Sequence, residues 1–280
     1  MNEIRSLSLW DLHVHSALSH DGQGSIAEYC EAAARQGMRA IGFCEHLDLD
    51  PDDVSCGRHD YERYRTEIGE ARAKWGERLT ILMGAEAGFV PRIKDEIAAF
   101  LSGHPYDYVV GSVHAVFDGK AGVSEEYDAL ETFARYEFAD LYFEYFETVA
   151  LMVKSGLFDV VGHLDLIQRF GVNYRDEPLD YGRFFGPLKR ILEGAVKRQM
   201  PIEINTSGLR QAPRATYPPR EILRLYRELT GEWVVVGSDA HSPAELGQGI
   251  PVALRLAKET GLDNFALFHD RIPEIIAWGG

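Results

Sequence analysis

Residues of the types that bind transition metals recur along this sequence, each close behind a short apolar run. His13 and His15 form a His-x-His pair behind the first run, and Asp239 and His241 repeat that spacing behind a late one. Side chains two positions apart in an extended segment share a face, so each pair can offer two ligands to one cation. Imidazole and carboxylate ligands without thiolate suit zinc, manganese or iron. These residues therefore predict a metal centre.

The same residue types follow four of the intervening apolar runs. They are Glu45 with His46, Glu86, His114 and His163. A lone His beside a strand is more often a hydrogen-bonded core residue than a ligand, but here six of seven runs deliver a ligand type at the same end. This repetition favours ligation, and the two oxygens of Glu86 would allow it to bridge two cations.

Four other residues have simpler interpretations. His59, His104 and His269 lie in loop or terminal-helix contexts, and we expect all three to be exposed to solvent. Cys44 comes shortly before the Glu-His pair, but we expect its thiol to be a small buried hydrophobic group.

The apolar runs alternate with helical patterns along the chain, which predicts repeated βα units. The expected strands are 7–12, 39–44, 79–85, 106–111, 158–162, 201–205 and 233–237. The expected helices are 25–37, 60–75, one in the nineties, 126–155, 181–199, 220–230 and 251–260. The first of them opens with a capping box from Ser25 to Glu28.

Seven such units predict either a parallel barrel or a doubly wound sheet. No glycine-rich nucleotide-binding turn follows the first strand, which favours the barrel. We therefore predict a single α/β domain over residues 1–280. In a parallel barrel the C-terminal ends of all strands lie on one face, so the metal-binding types would converge on one mouth.

Composition restricts the expected partners. With 29 Lys and Arg against 44 Asp and Glu, the net charge of −15 argues against binding long nucleic acids. A small phosphorylated substrate stays compatible with this charge, because bound cations invert the local field. Three cysteines, no hydrophobic leader and no apolar stretch long enough for a bilayer predict a cytoplasmic protein without a membrane partner. The oligomeric state stays open.

Five segments carry a resemblance to a known superfamily. They are Asp-Leu-His13-Val-His15-Ser, Cys-Glu-His46, Gly-Ser-Val-His114, Gly-His163-Leu-Asp and Gly-Ser-Asp239-Ala-His241-Ser. In this order they resemble the successive motifs of the PHP (polymerase and histidinol phosphatase) superfamily. Within it, the surroundings of His114 and His163 and the segment Glu203-Ile-Asn-Thr-Ser-Gly-Leu-Arg210 are most similar to histidinol-phosphate phosphatases.

The resemblance implies a distorted (β/α)7 barrel with three divalent transition-metal ions, which would be zinc, manganese or iron. The implied ligands are His13, His15, Glu86 and Asp239 for one ion, Glu86, His114 and His163 for a second, and Asp21, His46 and His241 for a third. One assignment is open in the loop Ser19-His20-Asp21-Gly22, because relatives often carry a His immediately before that Gly. Asp21 keeps the alignment and is a competent ligand, and His20 is the alternative.

The implied reaction is hydrolysis of L-histidinol phosphate to L-histidinol and phosphate, a step of histidine biosynthesis, through attack by a metal-bound hydroxide. Two neighbouring metal ions lower the pKa of such a water and neutralise phosphate oxygens. Glu86, Asp239 and His241 are the expected catalytic residues, with Asp239 and His241 as alternative proton relays.

Four residues near the strand ends are candidates for binding the substrate. Glu203 and Asn205 lie two positions apart on one predicted strand and share a face, where a hydrogen-bond network and a bound ligand are equally good reasons for buried polar residues. Arg169 and Arg210 follow the fifth and sixth strands and could bind phosphate oxygens, with a surface salt bridge as the alternative for each.

Three other functions are compatible with parts of the sequence. Another PHP phosphoesterase would act on a different small phosphate ester or on a nucleotide. A non-catalytic PHP module would be marked by lost ligands, and none is clearly lost. An amidohydrolase also begins with His-x-His, but it would normally have eight strands and a Lys or Glu after the fourth, where this sequence has His114.

Overall fold

A sheet of mostly parallel strands forms the centre of the protein. The computed structural model describes residues 10–175 and 178–277, so residues 7–9 of the first predicted strand lie outside the described residues. The strands are, in chain order, β1 (Trp10–Val14), β2 (Ala40–Leu47), β3 (Thr80–Gly88), β4 (Tyr108–Ser112), β5 (Ala115–Val116), β6 (Ala121–Gly122), β7 (Val160–Val161), β8 (Ile202–Asn205), β9 (Trp233–Gly237), β10 (Asn264–His269) and β11 (Ile272–Ala277). The main sheet has the order β1-β2-β3-β4-β7-β8-β9-β10-β11 and is parallel up to β10.

The sheet closes on itself between β1 and the segment behind β9. The backbone N–H of His15 donates to the carbonyl oxygen of Ala240 over 2.9 Å, and the N–H of Asp239 donates to the carbonyl oxygen of His13 over 2.7 Å. The strands β1, β2, β3, β4, β7, β8 and β9 therefore form a ring, which confirms the predicted distorted (β/α)7 barrel. All seven predicted barrel strands are found, although β7 is only two residues long.

Helices connect the barrel strands and cover their outer face. They are α1 (Ile26–Gln36), α2 (Tyr61–Trp75), α3 (Lys94–Gly103), α4 (Glu126–Arg135), α5 (Phe138–Ser155), α6 (Gln168–Gly171), α7 (Phe185–Lys197), α8 (Arg220–Glu228) and α9 (Ile250–Thr260). Short 3₁₀ turns occur at Pro91–Ile93, Val172–Tyr174, Tyr181–Phe184 and Ser207–Leu209. The apolar helix faces and the outward side chains of the strands make the larger hydrophobic core. In the part of the chain described, no helix combines the length and hydrophobicity that crossing a bilayer requires.

The ends of α1 follow directly from the local sequence. Ser25 accepts a hydrogen bond from the N–H of Glu28, while the Glu28 carboxylate accepts one from the N–H of Ser25. Gly37 follows the helix with a φ of 71°, a left-handed conformation that glycine adopts without a steric penalty. The predicted capping box and the predicted end at Gly37 are both confirmed.

The single helix predicted over 126–155 is wrong, because the chain divides into α4 and α5. Tyr136 and Glu137 adopt extended backbone between them. Tyr136 stacks on Phe117 of the β5–β6 hairpin, with ring centroids 4.3 Å apart. This contact and the change of direction towards α5 interrupt the helix where residue propensities alone would continue it.

The predicted helix over 251–260 is found as α9, but two strands that the sequence did not predict follow it. β10 and β11 form an antiparallel hairpin that turns at Asp270 and Arg271. Phe268 of β10 stacks on Tyr108 of β4 in the barrel interior, with ring centroids 5.5 Å apart. The N–H of Arg271 donates to the carbonyl oxygen of Asp107, the residue before β4. The hairpin therefore closes the N-terminal end of the barrel.

A second hydrophobic core fills the inside of the barrel next to this hairpin. Its buried members are Leu12, Ala40, Cys44, Leu82, Tyr108, Val110, Val160, Val235, Ala266, Leu267 and Phe268. Cys44 is fully buried and its thiol contacts the carbonyl oxygen of Leu12, as expected for a small hydrophobic residue. The apolar filling occupies the N-terminal part of the barrel and leaves the other end to polar residues.

Candidate metal centre

The nine predicted metal ligands meet at the C-terminal mouth of the barrel. Each has a nitrogen or oxygen within 3.6 Å of such an atom in at least one other member. The members are His13, His15, Asp21, His46, Glu86, His114, His163, Asp239 and His241.

Glu86 of β3 lies at the centre of this cluster. Its Oε1 is 3.4 Å from Nε2 of His114 and 2.6 Å from Nε2 of His163. Its Oε2 is 3.6 Å from Nε2 of His13 and 3.5 Å from Nε2 of His15. Burial alone would raise the pKa of Glu86, but the surrounding imidazoles, led by His114, hold this pKa well below its ordinary value. Because its oxygens face different imidazole pairs, the carboxylate is placed to serve two cations.

Asp239, behind β9, completes a first group of candidate ligands. Its Oδ1 is 3.4 Å from Nε2 of His15 and 4.0 Å from Nε2 of His13, the same nitrogens that face Oε2 of Glu86. The backbone of Asp239 has a φ of 54°, which is unusual for a residue other than glycine and is typical of strained functional positions. The four side chains are thus directed at one point.

Asp21, His46 and His241 form a neighbouring group. Oδ2 of Asp21 is 3.0 Å from Nε2 of His241 and 3.6 Å from Nε2 of His46. Nδ1 of His46 is 3.1 Å from Oε2 of Glu86, which joins this group to the central carboxylate. His20 also lines the cavity, and its Nδ1 is 3.7 Å from Oδ1 of Asp21. Both early-loop residues are therefore near the cluster, and the preference for Asp21 stays a prediction.

The hydrogen bonding of the cluster provides a test of whether these residues fit metal ions. Among the described residues, the buried Nε2 atoms of His13 and His15 and the buried Nδ1 atoms of His46 and His163 face other polar atoms or the cavity but make no hydrogen bond. Buried polar atoms in folded proteins nearly always have a partner. Burial, together with repulsion from other imidazoles, lowers the pKa of His15 to about 3, so it is held in the neutral form that ligates metals. Several groups of three have ligand atoms within 4.8 Å of one another, so the donor set fits cations.

Comparison with known families agrees with this geometry. Residues 11–207 match the PHP domain. The chain belongs to the PHP domain family. It is 31% identical over 259 residues to a protein of Deinococcus radiodurans named probable histidinol-phosphatase, with 90% of this chain and 94% of that protein covered. It is 28% identical over 261 residues to the histidinol-phosphatase of Lactococcus lactis, with 92% and 93% covered.

Solved structures share the PHP fold. The crystal structure of histidinol phosphate phosphatase from Lactococcus lactis, complexed with zinc, L-histidinol and phosphate, has a TM-score of 0.83 at 23% identity and covers 95% of this chain and 99% of that chain. A putative histidinol phosphatase from Listeria monocytogenes has a TM-score of 0.77 at 23% identity and covers 87% and 99%. Membership of the PHP family and the ring of seven strands argue against the amidohydrolase alternative.

Two buried carboxylates support the PHP centre from outside the predicted ligand set. Glu45, which the sequence grouped with the ligand types, accepts hydrogen bonds from the N–H and Oγ of Ser16 and from Oγ of Ser19. It thereby fixes the loop that carries the early-loop candidates. Asp48 was missed, although its spacing from His46 on an extended segment is a usable signal. Its Oδ1 is 3.6 Å from Nδ1 of His114, and its Oδ2 is 3.8 Å from Nδ1 of His46.

Glu203 and Asn205, two of the candidate substrate-binding residues, lie beside the metal cluster. Both side chains point into the barrel, as their spacing predicts, but both are completely buried. The Glu203 carboxylate interacts with Nδ1 of His13 and with the N–H of His163, and the Asn205 amide interacts with Glu203 and Asp239. The hydrogen-bond network that the sequence allowed is therefore present, and substrate binding by either residue stays a prediction.

The two candidate phosphate-binding arginines differ in position. Arg169 lines the cavity that contains the metal cluster, and its guanidinium carbon lies 5.3 Å from the ring centroid of Phe170. Arg210 is outside that lining, and its Nη2 donates to the carbonyl oxygens of Ser238 over 2.9 Å and Asp239 over 3.1 Å. The structure therefore brings Arg169 to the site directly, while substrate binding by Arg210 stays a prediction.

The three histidines expected to be exposed have different environments. His269 is exposed, but it lies on β10 rather than in a loop or helix. The prediction that His59 is exposed is wrong, because its ring is partly buried and contacts the hydroxyl of Tyr106 over 2.7 Å. It is also wrong for His104, whose partly buried ring stacks on Phe100 with centroids 4.0 Å apart. Aromatic side chains of α3 and of the segment before β4 provide these packing surfaces, which sequence context did not predict.

Proposed function

We propose that this PHP protein is a metal-dependent phosphomonoesterase that hydrolyses L-histidinol phosphate to L-histidinol and phosphate, a step of histidine biosynthesis. The observation that carries the proposal is the convergence of nine ligand-type side chains with Glu86 at their centre, together with buried imidazole nitrogens that lack hydrogen-bond partners among the described residues. The two relatives described above, whose names include histidinol-phosphatase, each align over at least 90% of this chain. No ligand of the predicted set has been lost, which argues against a non-catalytic PHP module.

We propose three metal-binding positions, two of which share Glu86. His13, His15, Glu86 and Asp239 would hold the first ion, Glu86, His114 and His163 the second, and Asp21, His46 and His241 the third. Zinc, manganese and iron all suit this donor set, and zinc is present in the Lactococcus lactis structure. When bound, such ions would lower the pKa of a water molecule and neutralise charge on the phosphate.

Arg169 is the side chain that we propose for direct phosphate binding. Among the described residues that line the cavity, it is the only Arg or Lys. A guanidinium can donate two parallel hydrogen bonds to phosphate oxygens, which orients the ester as well as attracting it. Arg210 would contribute less directly, because its guanidinium already holds the backbone carbonyl groups of Ser238 and Asp239.

Asp239, His241 and Glu86 are the proposed catalytic residues. The side chain of His241 is 30% exposed at the mouth, whereas that of Asp239 is 11% exposed. His241 is therefore the more exposed of these two alternative proton relays. Nδ1 of its ring contacts the carbonyl oxygen of Asp239 over 3.0 Å, so a proton could pass only through Nε2, and only in place of binding the third ion. Glu86 is buried among the imidazoles, so its contribution is to hold the ions in place.

The charge of the cavity favours histidinol phosphate over a nucleotide. Asp53 and Glu125 line it beyond the metal cluster, together with the buried Asp48. A substrate that combines one phosphate with an ammonium and an imidazole group complements this arrangement, because its cationic part can lie near carboxylates. We further propose a single PHP domain over residues 1–280 and a cytoplasmic location, with no long nucleic acid or membrane as partner.

A substrate panel tests the proposal. The protein is reconstituted separately with zinc, manganese and iron, and kcat/KM is measured for histidinol phosphate, other phosphate monoesters, a nucleoside monophosphate and a phosphodiester. We expect histidinol phosphate to have the highest kcat/KM. A Glu86→Gln variant purified in parallel controls for contaminating phosphatases. If several unrelated esters or the diester exceed histidinol phosphate, the substrate proposal fails and only the phosphoesterase class is left.

A further inference from the structure

The strand β8 is distinctive among the barrel strands of the described chain. It contributes none of the nine predicted ligands, yet it places two polar side chains inside the barrel beside them. We propose that Glu203 and Asn205 are positioning residues that orient His13, His163 and Asp239 for metal binding. This inference rests on the metal centre proposed above.

The Glu203 carboxylate contacts two predicted ligands, the side chain of His13 and the backbone of His163. Its Oε1 is 2.7 Å from Nδ1 of His13, and its Oε2 accepts a hydrogen bond from the N–H of His163 over 2.9 Å. An Nδ1–H group that donates to Glu203 leaves the lone pair of His13 on Nε2. Nε2 is the atom that faces Glu86 at 3.6 Å and Asp239 at 4.0 Å. A carboxylate behind a ligating imidazole selects its tautomer, fixes the ring and raises its basicity.

Asn205 extends the same arrangement to the carboxylate behind β9. Its Oδ1 accepts hydrogen bonds from the N–H and Oγ of Ser207 over 2.9 and 2.7 Å, which directs the amide NH₂ the other way. Nδ2 then lies 3.2 Å from Oε2 of Glu203 and 3.3 Å from Oδ2 of Asp239. Because Oδ2 of Asp239 is engaged by the amide, Oδ1 is left to face Nε2 of His15 at 3.4 Å.

The backbone is shaped to allow the contact between Glu203 and His13. Gly237 of β9 lies against both residues, and a Cβ at this position would overlap Oε1 of Glu203 and Cβ of His13. Any larger residue would have to displace one of the two partners. Gly237 therefore provides a second way to disturb the contact without changing either of its charged members.

A matched pair of variants tests the positioning role. Glu203→Gln keeps the size and one acceptor, but it loses the charge and presents an NH₂ group either to the N–H donor at Oε1 or to the two N–H donors at Oε2. Asp159→Asn is the control, because Asp159 is a largely buried carboxylate that accepts the N–H of Val109 at the opposite end of the barrel. Zinc affinity is measured by competition with a chromophoric chelator, and Tm is measured on the metal-free proteins.

We expect Glu203→Gln to bind zinc about 10- to 100-fold more weakly than wild type, the range typical of residues behind a metal ligand. Asp159→Asn should lower Tm and leave zinc affinity unchanged. Gly237→Ala should follow Glu203→Gln in affinity. If folded Glu203→Gln and wild type agree in zinc affinity within about twofold, well under that range, the positioning role is overturned.

A measurement on the wild-type protein covers the case in which the variants do not fold. In zinc-loaded protein labelled with ¹⁵N at histidine, we expect His13 to carry its proton on Nδ1. A His13 ring with its proton on Nε2 would overturn the inference even if three zinc ions are bound. A wild-type protein that binds no zinc, manganese or iron would instead overturn the metal centre itself, and this inference with it.

Discussion

The two ends of the barrel bury polar groups in different ways. At the N-terminal end, the Asp159 carboxylate accepts hydrogen bonds from the guanidinium of Arg271 and from the N–H of Val109. At the C-terminal mouth, the buried Nε2 atoms of His13 and His15 have no hydrogen-bond partner among the described residues. Buried polar groups are normally paired where stability alone decides. The difference indicates that one end is organised for stability and the other for bound ligands, the usual division in parallel barrels.

The largest expected effect comes from breaking the centre of the mouth. Glu86→Gln keeps the side-chain shape but removes the charge that faces the imidazoles of His114, His13 and His46. We expect metal content to fall from close to three ions per chain, and kcat/KM to fall by more than about 100-fold, beyond the range seen for residues that only support a ligand. Elemental analysis and kinetics on the same preparation measure both.

The control for Glu86→Gln is the Tm of the metal-free protein. Without bound cations, the loss of this carboxylate should change Tm only slightly, whereas the metal content should fall strongly. A variant that keeps a full metal complement and full activity would refute the central role of Glu86. One or no metal ion in carefully handled wild-type protein would count against the whole centre.

The opposite end should respond in stability rather than in activity. Phe268→Ala removes a fully buried ring that stacks on Tyr108 inside the barrel. Truncating a buried Phe to Ala typically reduces the free energy of unfolding by about 3–5 kcal/mol. Chemical denaturation should show this loss while zinc affinity and kcat/KM stay at wild-type values. Phe268→Leu is the control and should lose clearly less. A fall in zinc affinity of the folded variant would mean that the two ends are coupled.

Two arginine variants refine the comparison within the mouth. Arg169→Ala should raise KM for histidinol phosphate about 10- to 100-fold, as expected when a hydrogen bond to a charged group worth about 1.5–3 kcal/mol is lost. Arg210→Ala should also raise KM far more than it disturbs metal content. Both are measured by steady-state kinetics with metal analysis. If metal content falls together with activity in Arg210→Ala, its hydrogen bonds to Ser238 and Asp239, not substrate binding, explain the loss.

The convergence of the nine ligand-type residues could be predicted from the sequence, because their positions depend on strand ends. A residue such as His114 or His163 follows an apolar run, and the parallel arrangement carries every such position to one face. This inference needs no knowledge of side-chain conformation. The role of Glu203 does need it, because only the rotamers decide whether a buried carboxylate faces a substrate or the back of His13. The spacing of Glu203 and Asn205 predicted their common face but not their partners.

The hairpin of β10 and β11 was missed because its turn lacks the expected residues. Asp270 and Arg271 have φ values of 48° and 66°. A two-residue turn with positive φ at both positions normally carries Asn-Gly or Asp-Gly, which is the strongest short-range signal for a hairpin. Here an Arg occupies the position that favours Gly. Arg271 instead makes tertiary contacts with Asp159 and Leu157 that a sequence pattern does not reveal.

The smallest expected effect concerns that turn. Two variants of Arg271 distinguish the loss of its side-chain contacts from the backbone strain at its positive φ. The guanidinium of Arg271 is bonded to Asp159 over 2.7 and 3.1 Å, and its side chain is 34% exposed. Arg271→Ala removes these contacts and leaves Asp159 without this partner, so we expect unfolding to become easier by about 1–2 kcal/mol. Arg271→Gly removes the same contacts, but glycine adopts positive φ more readily, so this variant should be more stable than Arg271→Ala by about 1 kcal/mol. Denaturation curves of the three proteins measure both differences, which correspond to a few degrees of Tm at this size.

Metal content and kcat/KM should be the same in all three, because every group involved lies at the closed end of the barrel. Equal stability of the Ala and Gly variants would contradict the strain at the turn, and a loss of metal in either would contradict the separation of the two ends.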